Sequence, residues 1–116
     1  MSALKTNTLH ERRQFLRVPT NLESVLESKK NSIYTTVINL SEQGVGFLSA
    51  KPFKKGDTVN INFDYYNNVA NPIKLKVDVR SCRKVDLEYY IGGSIANKSI
   101  KFQRFFKSIT PSINIS

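Results

Sequence analysis

One cysteine, Cys82, and one histidine, His10, are all that the 116 residues offer of those two side chains. A lone cysteine can form neither an intramolecular disulfide nor a cysteine-based metal cage. His10 lies in a polar N-terminal stretch, where exposure to solvent is expected. Together these scarcities argue against most zinc sites, against a Ser-His-Asp arrangement and against a Cys-His pair, unless a second subunit contributes. Paired carboxylates near a shared motif and a phosphate-loop glycine pattern are also missing, so catalysis is not expected. No apolar run approaches the roughly 20 residues that span a bilayer. The first ten residues, MSALKTNTLH, lack the apolar stretch of a secretion signal. The expectation is a cytoplasmic, bacterial-style protein with no membrane insertion, no metal and no cofactor.

Acidic residues are scarce at both ends. The chain carries 18 Lys and Arg against 9 Asp and Glu, a net charge of +9. Residues 95–116 hold Lys98, Lys101, Arg104 and Lys107 with no acid, and residues 1–20 hold Lys5, Arg12, Arg13 and Arg17 against Glu11 alone. The middle is nearly balanced. Such an asymmetry favours an anionic partner, although it also serves solubility. With 40% hydrophobic residues the chain suits one globular domain with a single modest core.

From Val18 onward the hydrophobic period is two. In PIKLKVDVRSC, Ile73, Leu75, Val77 and Val79 alternate with Lys74, Lys76, Asp78 and Arg80; in TVNINF, Val59, Ile61 and Phe63 alternate with Thr58, Asn60 and Asn62. IYTTVINL alternates strand-prone residues in the same way. Such segments read as half-buried antiparallel strands with one wet face. Turns are expected at SKKNS (28–32), SEQG (41–44), KKGD (54–57) and NNVANP (67–72), and VDLEYYIGGSIA supplies one or two further strands. Gly92 and Gly93 suggest a bulge or a close backbone approach. In NKSIKFQRFFKSI the period changes: Phe102, Phe105, Phe106 and Ile109 fall at i, i+3, i+4 and i+7, the stripe of an amphipathic helix. Asn97 or Ser99 is placed to cap it, and its apolar stripe is expected to close one end of a small barrel.

Two motifs carry the chemistry. Arg13-Gln-Phe-Leu-Arg17 is an RxxxR spacing with Arg12 immediately before it, and Asn39-Leu-Ser41-Glu-Gln-Gly44 is an NxSxxG spacing at a strand end. Each alone is weak, the second resembling an ordinary capped turn. In this order and separation, with the VGFLS strand, the KKGD turn with VNINF, and YYIGGSI leading into the terminal helix, they resemble the PilZ domain family from about Glu11 to Ile109. The resemblance implies an all-β fold, a six-stranded antiparallel β-barrel with a C-terminal helix. It also implies binding of the bacterial second messenger cyclic di-GMP through Arg12, Arg13, Arg17, Asn39, Ser41 and Gly44, with Gly93 as an accessory. Asparagine is an accepted alternative to aspartate at the Asn39 position.

The residue chemistry suits that ligand. Arginine forks bind phosphate oxygens or the guanine O6/N7 edge in bidentate fashion and stack on bases. Asn39 offers a donor and an acceptor, Ser41 a hydroxyl, and Gly44 a backbone free to turn with positive φ. An arginine directly before RxxxR resembles the pattern of members that hold two stacked cyclic di-GMP molecules, which implies two ligands per chain. The expected division is an arm (1–10), a PilZ domain (11–109) and a tail (110–116), with the arm ordering on ligand to signal to a downstream protein effector. Phe15 and Leu16 are expected to pack on the barrel once the arm docks. Two other readings compete: a small basic barrel that binds single-stranded nucleic acid, and a PilZ-like adaptor that binds only protein. Nucleic acid is not the expected partner.

Overall fold

The computed structural model describes residues 16–29, 31–65 and 68–110. Six antiparallel strands form a closed barrel: β1 (Val18–Ser28), β2 (Asn31–Leu40), β3 (Gly44–Ser49), β4 (Thr58–Tyr65), β5 (Asn68–Val85) and β6 (Glu88–Ile95). Their order around the barrel is β1-β2-β3-β6-β5-β4, closed by pairing of Val25, Leu26 and Glu27 with Asn62, Ile61 and Asn60. One helix, α1 (Ile100–Ile109), completes the described chain.

The alternation in the sequence becomes the inside and outside of the wall. Val59, Ile61 and Phe63 on β4 and Ile73, Leu75, Val77 and Val79 on β5 are all buried, joined by Phe47 and Ile91. Lys74, Lys76 and Arg80 face out. On β2 a strict alternation fails. Thr35 and Val37 point inward, yet so does Leu40, because the pairing with β3 slips between Val37 and Asn39. A bulge adds one residue and so inverts the inward-outward phase of the strand beyond it. It lies directly ahead of the NxSxxG turn.

Turn chemistry matches the backbone. Gly56 takes φ 99° in the KKGD turn, where Asp57 Oδ2 accepts from the Lys54 amide at 2.8 Å. The β5–β6 hairpin turns at Asp86, with φ 55°, and Leu87. NNVANP is not the expected loop. β5 already begins at Asn68, paired with Tyr65, so the hairpin is tighter and β5 longer than its polar composition suggests. Backbone pairing needs no apolar side chain, and a polar stretch can prolong a ladder begun by Ile73 and Phe63.

Helix α1 covers the core as expected. Phe102, Phe105 and Phe106 are buried, and the Phe105 ring lies 5.2 Å from that of Phe63 on β4. Ser99 is the N-cap, its hydroxyl accepting from the Phe102 amide at 3.0 Å. Lys101 Nζ donates to the Pro72 carbonyl at 3.3 Å and ties the helix to β5. Among the described residues, no helix is long and apolar enough to cross a membrane, and no cluster of three or more His, Cys, Asp or Glu could hold a metal ion.

This packing sets a stability expectation. Phe102→Ala should cost about 3–5 kcal/mol through lost burial and a cavity, and Ser99→Ala about 1 kcal/mol through the lost cap. Tyr34→Ala, at a side chain 87% exposed, should change stability by less than about 0.5 kcal/mol. Urea unfolding of the three variants checks the ranking; a Phe102→Ala midpoint equal to that of Tyr34→Ala would contradict the helix as a lid on the core.

Candidate ligand-binding site

Arg17, the last residue of the first motif, meets the second motif where β1 starts, β2 ends and β3 begins. Arg17 precedes β1 by one residue, and its Nη1 donates to Asn39 Oδ1 at 2.7 Å across 22 positions of sequence. The other end of the Asn39 amide is also held: Nδ2 donates to the Tyr90 hydroxyl at 3.0 Å. The Tyr90 ring in turn carries the Arg83 guanidinium 5.2 Å from its centroid, within cation–π range. A chain of contacts therefore runs from Arg17 through Asn39 to Tyr90 and Arg83 on the outer wall.

Ser41 is buried in the turn after β2. Its Oγ accepts from the amides of Gly44 at 2.9 Å and Gln43 at 3.2 Å, while its own amide donates to the Gly44 carbonyl at 2.9 Å. Its hydroxyl oxygen is thus committed to shaping the turn, in the manner of a small capping motif. Gly44 departs from expectation, because its φ is not positive: Gly56 is the one glycine of the described residues with positive φ. Space is the constraint instead. A Cβ at Gly44 would lie 3.1 Å from the Gly93 carbonyl oxygen and 3.6 Å from Arg17 Nη2. Any side chain here would push β3 from β6 or displace the arginine.

Arg17, Ser41, Gly44 and Gly93 line one cleft of about 330 Å³, together with Gln43, Arg80, Ser81, Gly92 and Ser94. Among the described residues its lining includes no carboxylate and two guanidinium groups, a composition suited to an anion. Asn39 joins through its bond to Arg17. Arg12 and Arg13 lie outside the described residues. Leu16 is 43% exposed and borders a separate groove beside Phe102 and Phe106, so its expected packing is only partial.

A family model for the PilZ domain matches residues 11–105. The chain belongs to the PilZ domain family. Solved structures agree on the fold. The Bacillus subtilis inhibitor of motility MotI (DgrA) superposes with a TM-score of 0.70 at 16% identity, over 84% of this chain and 49% of that one. The PilZ domain of YcgR from Escherichia coli, solved with c-di-GMP, gives 0.66 at 18% identity, over 90% of this chain and 92% of that one. PlzA from Borreliella burgdorferi, in complex with c-di-GMP, gives 0.65 at 10% identity, over 95% of this chain and 46% of that one. The chain thus spans about half the length of MotI and PlzA and nearly all of the YcgR domain. No curated protein matches the sequence.

Sequence reasoning missed Tyr90, Gly46 and Arg80. Tyr90 reads as an ordinary strand residue, and nothing local marks it as the partner of an asparagine 51 positions earlier. Gly46 sits inside VGFLS, where a mid-strand glycine signals close approach. A Cβ there would collide with the Tyr90 hydroxyl and lie 2.7 Å from Asn39 Nδ2. Gly46→Ala should therefore displace both groups, lower stability by about 1–3 kcal/mol, and loosen Arg17 with them. Thermal melting and the side-chain amide resonances of Asn39 check this. Unchanged Asn39 resonances in the variant would show that the Gly46 gap is not what seats the Asn39–Tyr90 pair.

Proposed function

We propose that this PilZ domain is a cytoplasmic receptor for cyclic di-GMP, acting as a binding module and not as an enzyme. Arg12, Arg13 and Arg17 clasp the ligand against the NxSxxG turn of Asn39, Ser41 and Gly44, with Gly93 at the rim. The observation that carries the reading is the Arg17–Asn39 hydrogen bond of 2.7 Å, which joins one residue of each motif beside a cleft that no carboxylate of the described residues lines. Cyclic di-GMP presents two phosphates for arginine forks and two guanine edges for amide groups and guanidinium stacking. Asn39 keeps one N–H and one lone pair beyond its bonds to Arg17 and Tyr90, enough to meet a base edge. The matches to c-di-GMP-bound PilZ structures from two organisms support the same ligand.

The receptor unit is 11–109. Binding draws the segment that carries Arg12 and Arg13 across the cleft, and a downstream protein reads the change. Arg12 supplies the charge and planar face for a second, stacked ligand. The rival reading of a single-strand nucleic-acid binder needs aromatic platforms beside the cations. Phe47, Phe63, Phe102, Phe105 and Phe106 are all buried in the core, and the most exposed aromatic of the described residues, Tyr34, lines none of the arginine cleft.

Calorimetry against cyclic di-GMP, with GTP and cyclic di-AMP as controls, tests the proposal. Wild-type protein should bind two ligands per chain. Arg13→Ala and Arg17→Ala should each lose about 2–5 kcal/mol of binding without a change in melting. Arg12→Leu should retain binding with a stoichiometry falling to one. Wild-type affinity in both alanine variants would refute the site, and a wild-type stoichiometry of one would remove the second ligand.

A further inference from the structure

Arg80 stands apart from both motifs, yet it lines the same cleft as Arg17. The β5–β6 pairing runs Val79 to Gly93 and then Ser81 to Gly92, so Arg80 is the extra residue of a bulge. Arg80 keeps the outward phase of Lys74 and Lys76, and the bulge sets it opposite no residue of β6. Its guanidinium is fixed, because Arg80 Nε donates to Ser94 Oγ at 2.8 Å. Ser94 pairs across the sheet with Gly44, the last residue of the NxSxxG turn. Arg17 also approaches Gly44, its Nη2 3.6 Å from the place a Cβ would occupy. Two guanidinium groups thus line the cleft that includes Gly44, each held by its own hydrogen bond.

We propose that Arg80 is a further anion-binding residue of this site, with Ser94 as its positioning residue, and that it takes a phosphate of the bound ligand on the β5–β6 side of the cleft. The proposal rests on the cyclic dinucleotide reading for the identity of that ligand. Its own content is narrower: an oriented arginine fork facing a phosphate. Nε is committed to Ser94, which leaves the four N–H groups of the two Nη atoms as the fork, and an oxyanion is the partner such a fork matches. Recruiting Arg80 also extends the footprint from the motif strands across β6 to β5. A two-phosphate ligand then meets one arginine from ahead of β1 and another from β5.

The test uses the full chain, two probes and three variants. Arg80→Ala should weaken cyclic di-GMP binding by about tenfold or more, a loss of roughly 1.4 kcal/mol or greater, with unchanged melting. Arg80→Lys should recover only part of it, since lysine keeps the charge and not the fork. Ser94→Ala should weaken binding about threefold in wild type and not at all in the Arg80→Ala background, which a general structural role would not predict. Inorganic pyrophosphate, monitored through the Arg80 Nε–H resonance, separates this proposal from the dinucleotide reading. If cyclic di-GMP binds but Arg80→Ala matches wild type, the Arg80 assignment falls and the dinucleotide reading stands. If cyclic di-GMP fails to bind while pyrophosphate shifts the Arg80 resonance, the ligand identity falls and the anion site stands. If neither probe binds, both are overturned.

Discussion

Asn39 is held at both ends of its amide, by Arg17 at 2.7 Å and by Tyr90 at 3.0 Å, and the geometry of the cleft depends on that double restraint. A guanidinium on an exposed stretch ahead of the first strand would otherwise sample many rotamers, at a cost of about 1.5–2 kcal/mol to order. Part of that cost is met in the folded protein itself, which leaves Arg17 pre-set beside Gly44. The restraint works only because Gly46 leaves room for the Tyr90 hydroxyl, and because Ser41 closes the turn that brings β3 back alongside β2.

The barrel bears the stability, with core positions alternating from Val59 to Phe63 on β4 and from Ile73 to Val79 on β5. Pairing slips between Pro19 and Leu22, between Val37 and Asn39, between Phe63 and Tyr65 and between Val79 and Ser81. Two of these slips, next to Asn39 and at Arg80, lie beside the cleft. Glycine stands where a neighbouring backbone passes close: a Cβ at Gly93 would lie 2.8 Å from the Asp78 carbonyl oxygen.

Much of this was legible in the sequence where one local rule decided the outcome. PIKLKVDV announced its buried face through strict alternation, FQRFF its helix stripe, and Ser99 its cap. RxxxR with NxSxxG pointed to the family that residues 11–105 match. What could not be read depended on partners distant in sequence. The space constraint at Gly44 comes from Gly93, 49 residues later, so a positive φ was the natural local guess and was mistaken. Arg80 reads as one more wet-face cation because its tie to Ser94 and its place in the cleft depend on a second strand. NNVANP looked like a loop because polarity reports on burial, and pairing of Tyr65 with Asn68 needs none.

The most direct measurement is a backbone amide map of the wild-type protein titrated with cyclic di-GMP. The account predicts that shifts among the described residues concentrate at Arg17, at Ser41 to Gly44, and at Arg80 and Gly92 to Ser94. Tyr34 and the β1–β2 turn at Lys29 should stay still. Saturable binding whose shifts centre on the β1–β2 turn and leave the Ser41–Gly44 turn unmoved would contradict it, as would no binding at all.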